Sequence, residues 1–359
     1  MKQSQSKTKT SSRKKDHVVL SVKRDVTFRG KKTGFEEWDF VHNALPEIDF
    51  SEISTETIFL SKPLAFPFMI SCMTGGYKDA ERINRSLAEV CAEEKIAMGV
   101  GSQRQALENS TYHKSFSVAR RAAPNIPIVG NIGAAEVARM TDISPMLRLV
   151  DLVQADAFAV HLNPLQEFLQ PEGNVNFRGV LAGIARLVRE LPVPLIVKEI
   201  GAGISGEVAG RLIDAGVTII DVAGAGGTSW AGVEILRRKN GSRREDPWEQ
   251  FWDWGIPTSE ALSQVAALKR AGRRVTIIAS GGITSGLEMA KAVALGADLA
   301  ASARPMLQEL ISSGKTGLRR RLQQWKKEFA GAMFLVGASS LARLQTSPMI
   351  HRKTHEPSR

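Results

Sequence analysis

The chain has 359 residues, of which 43% are hydrophobic and 24% charged, and a formal net charge of +11. This composition excludes a disordered or fibrous chain and provides enough apolar residues for a full-sized core. Residues 1–15 contain six basic and no acidic residues, and residues 351–359 contain three basic residues and one acidic residue. Because most of the excess charge lies in these two segments, we interpret it as solvated tails rather than as a nucleic-acid-binding surface.

Cysteine content and hydropathy predict the compartment. Cys72 and Cys91 are the only cysteines, too few for a disulfide framework or a thiolate metal site. No apolar run approaches the ~20 residues that a membrane span needs, and residues 1–15 lack the apolar segment of a signal peptide. We therefore expect a cytoplasmic protein without a membrane span and without a nucleic-acid partner.

A short apolar run recurs along the chain, each time followed by Gly, Asn or Ser and then by an amphipathic helical stretch. Eight such runs occur, at 67–74, 96–101, 126–132, 157–163, 194–200, 218–224, 275–283 and 299–306. Strands that are covered on both faces need near-continuous apolar runs, and alternation with helices requires parallel crossovers. The pattern predicts an α/β fold, a (β/α)8 TIM barrel in a single domain. An open doubly wound sheet is the alternative, but no G-x-G-x-x-G motif follows the first strand.

Segments outside the repeat define the predicted domain organisation. We expect residues 1–53 to form a leader with a basic substrate-binding motif, residues 54–344 the barrel, and residues 345–359 a polar basic tail. Within the barrel segment, residues 54–60 predict a short strand that caps the closed end.

Two later segments have open interpretations. Residues 228–257 form an insertion after strand 6 and contain four of the six tryptophans, Trp230, Trp248, Trp252 and Trp254. This insertion is either a satellite hydrophobic cluster or a lid over an apolar substrate, because insertions after a barrel strand lie on the active face. The residue pattern at 319–344 predicts one or two helices, which would lie at the outer wall of the barrel or at an oligomer contact.

Polar residues are concentrated where the predicted strands end, which is where barrels of this kind build their active sites. They are Thr74, Ser102, Gln103, Arg104, Asn131, His161, Asn163, Gln166, Glu167, Lys198, Thr228 and Arg304. Lys198 lies inside an apolar strand, where an unpaired ammonium group is costly. It therefore needs an anionic or electron-rich ligand; a pair with Glu199 or another strand-end carboxylate is the alternative.

Three glycine or small-residue turns at successive strand ends indicate a phosphate site. These turns are Gly226-Gly227-Thr228, Gly281-Gly282 and Ser302-Ala303-Arg304. Small residues let backbone N–H groups approach an anion. Barrels with this signature often hold FMN, whose ring would lie near Thr74, Ser102, Asn131 and Lys198.

Separate basic groups indicate a second anion site. They are Arg104, His161 and the leader residues Arg13, Lys14 and His17. By itself a basic leader is usually a solvated tail. Glu167 follows a strand end beside His161 and Asn163, so its carboxylate could hold Mg²⁺ while substrate phosphates and waters complete the octahedron.

Several motifs, taken together, resemble one known family. They are RKKDH at 13–17, MTGG at 73–76, VGSQR at 100–104, HLNPLQEFLQPEGN at 161–174, VKEIGAGIS at 197–205, AGAGGTSW at 223–230, WGIPT at 254–258 and ASGGI at 279–283. In order and spacing they resemble type II isopentenyl-diphosphate isomerase, the flavin-dependent form. Two departures are Cys72, where we expect a smaller residue, and a leader longer than the motif requires.

The resemblance implies an isomerase of isoprenoid biosynthesis that interconverts isopentenyl and dimethylallyl diphosphates. It implies reduced FMN and Mg²⁺ as cofactors, NADPH or NADH as reductant, and a homo-oligomer. The implied flavin contacts are Met73, Thr74, Gly75, Ser102, Asn131, Lys198, Thr228, Gly281, Gly282, Ala303 and Arg304. The implied substrate contacts are Arg13, Lys14, His17, Ser102, Gln103, Arg104, His161, Asn163 and Gln166, with Gln166 and His161 catalytic and Glu167 the metal ligand.

The implied reaction fits the residues at the strand ends. A double-bond shift in an unactivated alkene adds a proton at one carbon and removes one from another, and the strand ends offer no carboxylate pair for these steps. Our hypothesis is that reduced flavin gives and takes the proton, while diphosphate binding orients the apolar tail. We expect Arg13 and Lys14 to become ordered only when diphosphate binds, with Arg13, Lys14, Arg104 and His161 as its neutralising cations.

Other flavin barrels are less consistent with the sequence. A 2-hydroxy-acid oxidase needs a strand-end histidine base, and no histidine occurs between His161 and His351. A purine nucleotide dehydrogenase needs a cysteine nucleophile after strand 6, and neither cysteine lies there. A basic nucleic-acid-binding protein would need a recognition motif that the sequence lacks.

Overall fold

The computed structural model describes residues 2–239, 246–347 and 350–352. It begins with helix α1 (Lys2–Lys23), followed by a short 3-10 turn at Phe35–Glu37 and strand β1 (Trp38–Phe40). The expectation that residues 1–15 are a solvated tail is wrong for Arg13, whose side chain is 12% exposed, and for Lys14, which donates to the carbonyl of Ser102. The interior of α1 contains no Gly or Pro, which agrees with an uninterrupted helix.

The next two strands cover the closed end of the barrel. Strands β2 (Thr57–Phe59) and β3 (Lys62–Leu64) pair as an antiparallel hairpin. Phe59 and Leu64 pack in one buried cluster with Met69, Ala97 and other residues of the barrel interior. The prediction that residues 54–60 supply a strand capping the closed end is therefore confirmed.

Eight parallel strands close into a barrel. They are β4 (Phe68–Ile70), β5 (Ala97–Gly99), β6 (Ile128–Gly133), β7 (Ala157–His161), β8 (Leu195–Lys198), β9 (Ile219–Asp221), β10 (Thr276–Ala279) and β11 (Leu299–Ser302). Each strand coincides with one of the eight predicted runs, β6 extending one residue beyond its run, so the predicted (β/α)8 barrel is confirmed. The pairing of β7 with β8 places His161 beside Lys198, and the pairing of β8 with β9 places Lys198 beside Asp221.

Helices surround the barrel and cover its strands. They are α2 (Ala80–Glu93), α3 (Arg104–Glu108), α4 (Lys114–Ala122), α5 (Ala134–Ala138), α6 (Ser144–Val153), α7 (Pro164–Leu169), α8 (Val180–Glu190), α9 (Gly206–Asp214), α10 (Trp230–Lys239), α11 (Thr258–Arg270), α12 (Gly286–Ala294), α13 (Arg304–Leu335) and α14 (Leu341–Thr346). In α2 the apolar side chains of Ile83, Leu87, Val90 and Cys91 recur at helical spacing and are buried. The main core lies between these helix faces and the outer faces of the strands.

The C-terminal region differs in detail from the sequence interpretation. The segment expected at 319–344 belongs to α13, which starts at Arg304 and bends at Gly314, and to α14. Strand β12 (Ile350–Arg352) pairs antiparallel with β1, so part of the expected polar tail is a strand. No helix in the described ranges is long and apolar enough to cross a lipid bilayer.

The tryptophan-rich insertion is mainly a hydrophobic cluster. Trp248, Phe251 and Trp254 form a chain of aromatic contacts with Phe168 of α7, with ring centroids 5.0–6.0 Å apart. Trp252 is buried and its indole N–H donates to the carbonyl of Thr27 at 2.8 Å. The satellite-cluster interpretation therefore describes Trp248, Trp252 and Trp254. Trp230, the fourth tryptophan of the insertion, instead lines the space at the carboxyl ends of the strands, and the lid interpretation stays a prediction. Residues 240–245 of the insertion lie outside the described ranges.

Candidate active site

Two adjacent cavities open at the carboxyl ends of the barrel strands. We call them the wide cavity, with a volume of about 430 Å³, and the basic cavity, with about 130 Å³. The larger volume lies within the range of ordinary ligand pockets. The two cavities share one wall, made by Cys72, Met73, Lys198, Ile200 and Trp230. A ligand in one cavity would therefore lie against a ligand in the other.

The wide cavity is lined by the predicted phosphate turns. Its lining includes Met73, Lys198, Thr228, Gly281, Gly282, Ala303 and Arg304 of the predicted flavin contacts. Gly281 and Gly282 have positive φ values of 102° and 75°, which favour glycine. A Cβ at Gly282 would lie 2.8 Å from the backbone nitrogen of Gly227. The turns therefore pack backbone against backbone. Turns packed in this way can present backbone N–H groups to an anion.

Lys198 joins the two cavities and has a carboxylate partner. Its Nζ lies 3.4 Å from Asp221 Oδ2 and donates to the carbonyl oxygen of Glu199 at 2.5 Å. Asp221 Oδ1 accepts from Ser280 Oγ at 2.6 Å. The alternative that Lys198 pairs with a strand-end carboxylate is therefore correct, with Asp221 rather than Glu199 as the carboxylate, and the lysine also faces both cavities.

The leader helix forms one side of the basic cavity. Lys14, His17 and Ser21 recur at spacings of three and four residues, so they lie on one face of α1. Arg13, Lys14 and His17 line the cavity opposite Arg104. Lys14 Nζ donates to the carbonyl oxygen of Ser102. The cationic residues predicted at distant places in the sequence are brought together here.

Burial and mutual repulsion lower the pKa values of Arg13 and Lys14. Burial, with Arg13 nearby, lowers the pKa of Lys14 to about 7. Burial and the charge of Arg104 also lower the pKa of the Arg13 guanidinium. Arg104 Nε is 3.1 Å from Glu136, which offsets part of its charge. Positive groups held this close together favour an anionic ligand, whose charge would relieve the repulsion.

His161 is neutral at pH 7 in this structure. Burial lowers its pKa to about 3, and the charges of Lys198 and Lys14 add to the effect. Its Nδ1 is 2.8 Å from Asn131 Oδ1. Because an amide oxygen only accepts, the Nδ1–H donates and Nε2 retains its lone pair. In the ligand-free protein His161 therefore adds no positive charge to the basic cavity, and its role as a neutralising cation for bound diphosphate stays a prediction.

A buried carboxylate that the sequence analysis missed connects the leader to the HLNPLQE segment. Glu234 Oε1 accepts from Gln166 Nε2 at 3.0 Å and lies 2.9 Å from His17 Nε2. Glu234 Oε2 accepts from Arg237 Nε at 2.8 Å. Burial alone raises the pKa of Glu234, but the hydrogen bond and charge of His17 and the charge of Arg237 outweigh it and lower the pKa to about 2. Gln166 is thus oriented by a carboxylate that stays ionised.

Glu167 supplies a candidate oxygen ligand for a metal. Its Oε1 accepts from Asn163 Nδ2 at 3.1 Å, and its Oε2 accepts from the Asn174 backbone N–H at 2.6 Å. The buried Asn163 Oδ1 has no hydrogen-bond partner among the described residues. Carboxylate and amide oxygens fit Mg²⁺. The described residues contain no group of three or more His, Cys, Asp or Glu side chains placed to hold a metal, so this donor set needs ligand oxygens to complete a site.

Two predicted contacts, Thr74 and Gln103, line neither cavity. Thr74 Oγ1 donates to Asn84 Oδ1. Gln103 is fully buried, and its Nε2 donates to the Leu149 carbonyl at 2.8 Å while its Oε1 accepts from the Asn131 backbone N–H at 3.0 Å. Gln103 therefore holds the strand that carries Asn131. The remaining predicted residues, Gly75, Ser102, Asn131, His161, Asn163, Gln166 and Glu167, line the basic cavity.

Comparisons with known proteins are consistent across the chain. The FMN-dependent dehydrogenase family matches residues 161–352. Isopentenyl-diphosphate delta-isomerases from Chlorobaculum parvum and Nostoc sp. are 46% and 44% identical, covering 98% and 96% of this chain and 99% and 96% of those proteins. Among solved structures, a lactate oxidase from Pediococcus acidilactici aligns with a TM-score of 0.69 at 18% identity, over 96% of this chain and 94% of the oxidase. A mandelate oxidase aligns with a TM-score of 0.65 at 18% identity, over 94% and 96%. The structural likeness shows a shared barrel fold.

Proposed function

The chain belongs to the isopentenyl-diphosphate delta-isomerase family, in its FMN-dependent form, and from this premise we propose that it interconverts isopentenyl and dimethylallyl diphosphates. Reduced FMN would occupy the wide cavity, and the diphosphate the basic cavity. The observation that carries the proposal is the shared wall of Cys72, Met73, Lys198, Ile200 and Trp230. Two ligands of this kind would meet there, one presenting a flavin ring and the other a short alkene.

The residues of the wide cavity suit FMN. We assign the phosphate to the turns at Gly281, Gly282, Ala303 and Arg304, with the hydroxyl of Thr228 beside them. The ring would lie against Met73 and Lys198 of the shared wall and extend towards Gly75, Ser102 and Asn131, which line the basic cavity. We also assign Thr74, which lies between Met73 and Gly75 in the chain, to the ring. When bound, reduced FMN would supply an electron-rich face and an exchangeable proton.

The basic cavity suits a diphosphate. Arg13, Lys14 and Arg104 provide charge, and Ser102, Asn163 and Gln166 provide neutral hydrogen-bonding groups. His17 would act largely through Glu234, because its Nε2 already faces that carboxylate. Binding energy from the diphosphate would orient the apolar tail towards the shared wall.

Glu167 would hold Mg²⁺, which would neutralise the charge of the diphosphate. Because the described residues place no group of three or more His, Cys, Asp or Glu side chains to hold a metal, the other ligands would come from the substrate and from water. We therefore propose that the metal enters with the diphosphate rather than before it.

The chain's own proton-handling groups near the shared wall are Gln166 and His161. Glu234 and Asn163 fix both ends of the Gln166 amide, at 3.0 and 3.1 Å. The neutral His161 presents its Nε2 lone pair, since its Nδ1–H is committed to Asn131. We propose that these two side chains exclude water and hold a proton beside the reacting carbons, and that neither supplies the strong acid that the reaction needs.

An oxidase function is less well supported despite the shared fold. Oxidation of a 2-hydroxy acid needs a histidine base at the flavin, and the sequence has none between His161 and His351. We also propose that NADPH or NADH reduces the flavin and that the chain forms a homo-oligomer.

The proposal is tested with purified protein reconstituted with FMN, reduced with dithionite and incubated with isopentenyl diphosphate and Mg²⁺ in D₂O. We expect dimethylallyl diphosphate to form and deuterium to enter both isomers, as detected by NMR. The same sample with oxidised FMN is the control and should be inactive. Protein that retains reduced FMN but leaves isopentenyl diphosphate unchanged would disprove the isomerase assignment.

A further inference from the structure

The end of the leader is built into the wall of the wide cavity. Ser21 and Thr27 both line that cavity. The backbone beyond α1 is hydrogen-bonded to the turn that follows β9, from Ser229 N to Val26 O at 2.8 Å and from Phe28 N to Gly227 O at 3.3 Å. The cofactor cavity is therefore completed by residues that precede the barrel in sequence.

Arg304 ties α1 to the phosphate turns. Its Nε donates to the carbonyl of Ser21 at 2.7 Å and its Nη2 donates to the carbonyl of Arg24 at 3.1 Å. These carbonyls belong to the C-terminal end of α1, where helical backbone partners are missing. The Arg304 guanidinium, which we assign to the cofactor phosphate, therefore also caps the C-terminal end of α1. The same contact holds Ser21 near the proposed phosphate position.

The Ser21 hydroxyl is buried in the wall of the wide cavity without a partner. Ser21 is 1% exposed, and its Oγ has no hydrogen-bond partner among the described residues. A serine inside a helix can bond to the carbonyl four residues earlier, but no such bond is made here. A buried hydroxyl without a partner is unfavourable, so the cavity has to supply an acceptor.

We propose that Ser21 donates its hydroxyl hydrogen bond to the phosphate of the bound FMN, so that the leader helix is part of the cofactor site. The proposal rests on the proposed function, which places FMN in the wide cavity. A phosphate is the matching acceptor because the Ser21 carbonyl accepts from Arg304 and Ser21 lines the same cavity as the Gly281-Gly282 turn. Hydrogen bonds to ionised oxygens are also the stronger kind. Since coupling is reciprocal, FMN binding stabilises the docked leader and the docked leader tightens FMN binding.

The test compares FMN with riboflavin, which has the same ring but no phosphate. Dissociation constants of both are measured by flavin fluorescence for the wild type, Ser21→Ala and the control Ser12→Ala, which changes an exposed serine of the same helix. We expect Ser21→Ala to weaken FMN binding about tenfold and to leave riboflavin binding unchanged. Ser12→Ala should change neither.

Several outcomes would overturn the proposal. FMN binding by Ser21→Ala at wild-type strength would exclude the hydrogen bond, and equal weakening of FMN and riboflavin would show a structural role instead. A wild-type protein that binds no flavin would instead contradict the proposed function, so the two failures are distinguishable.

Hydrogen exchange of the wild type gives a second measurement that does not depend on a variant folding. We expect FMN to slow amide exchange in the second half of α1 more than riboflavin does, when each flavin is present at saturation. Equal protection by the two flavins would refute a phosphate contact from the leader.

Discussion

Lys198 Nζ lies 3.4 Å from Asp221 Oδ2, across two adjacent strands of the barrel, and both side chains are buried. The pair lies where the two cavities meet, so the same ammonium lines both of them. Its position is set by Asp221, which is itself fixed by Ser280 Oγ at 2.6 Å.

Asp221→Asn should destabilise the protein and weaken flavin binding. Removing one partner leaves a buried ammonium without its counter-charge, which costs about 3 kcal/mol. Denaturant unfolding measures the stability and absorbance after gel filtration measures the retained FMN. Lys198→Ala should also lose FMN, because that variant lacks the cavity-lining ammonium.

The control for this prediction is the double variant Asp221→Asn, Lys198→Met. It removes both charges, so it should recover most of the stability that the single variant loses while still binding FMN poorly. Additive destabilisation in the double variant would argue against an energetically important pair.

Lys14 should make diphosphate binding sensitive to pH. Its pKa is lowered to about 7 by burial and by Arg13, and a bound diphosphate would raise it again. Binding therefore takes up a proton above pH 7, and the Michaelis constant should rise there by up to about tenfold per pH unit. Steady-state kinetics between pH 6 and 9 measure this slope.

Lys14→Arg separates this effect from the ionisation of the substrate itself. The guanidinium stays protonated over that range, so the variant should have a flatter profile than the wild type. Parallel profiles for the two proteins would assign the pH dependence to the diphosphate or to another residue.

Glu167→Gln should remove Mg²⁺-dependent turnover while leaving the flavin spectrum intact. A neutral amide is a weaker ligand than a carboxylate for a hard divalent cation, so we expect activity to fall by about a hundredfold or more. Glu81→Gln, which changes an exposed carboxylate on α2, is the matched control. Full activity in Glu167→Gln would remove this residue from the metal site.

The barrel was predictable because its strands are covered on both faces. Each of the eight runs is apolar almost throughout. When such runs alternate with helices, few folds other than a parallel sheet covered by helices can bury them. Gly281, Gly282 and the polar residues of HLNPLQE could be placed at the site for the same reason, since the repeat fixes where each strand ends.

Residues whose role depends on a partner from another element could not be placed. Asp221 ends an apolar strand just as Lys198 does, but only the register between β8 and β9 reveals the pair. Gln103 adjoins a strand end, yet its side chain turns back to hold Asn131. Glu234 lies in the insertion, which composition identifies only by its tryptophans, and Ser21 resembles any other serine of a polar helix.

The last prediction concerns Glu234 and acid stability. Its pKa in the folded protein is about 2, because the contacts of His17 and Arg237 outweigh the cost of burial. A carboxyl whose folded pKa lies below its unfolded value of about 4.5 contributes stability above pH 4.5 and loses it as the pH falls towards 2. The size of this contribution is about 3 kcal/mol at pH 7.

Glu234→Gln should therefore be less stable than the wild type by about this amount at pH 7, and the gap should shrink by roughly half or more at pH 3, because the wild type loses its advantage there. Chemical denaturation at the two pH values measures it. Glu190→Gln removes an exposed carboxylate that pairs with Arg186 on α8, and it should change the unfolding free energy little at either pH. A gap between wild type and Glu234→Gln that stays constant from pH 7 to pH 3 would mean that Glu234 acts by packing, and that the ionised carboxylate is not what holds His17 and Gln166 in place.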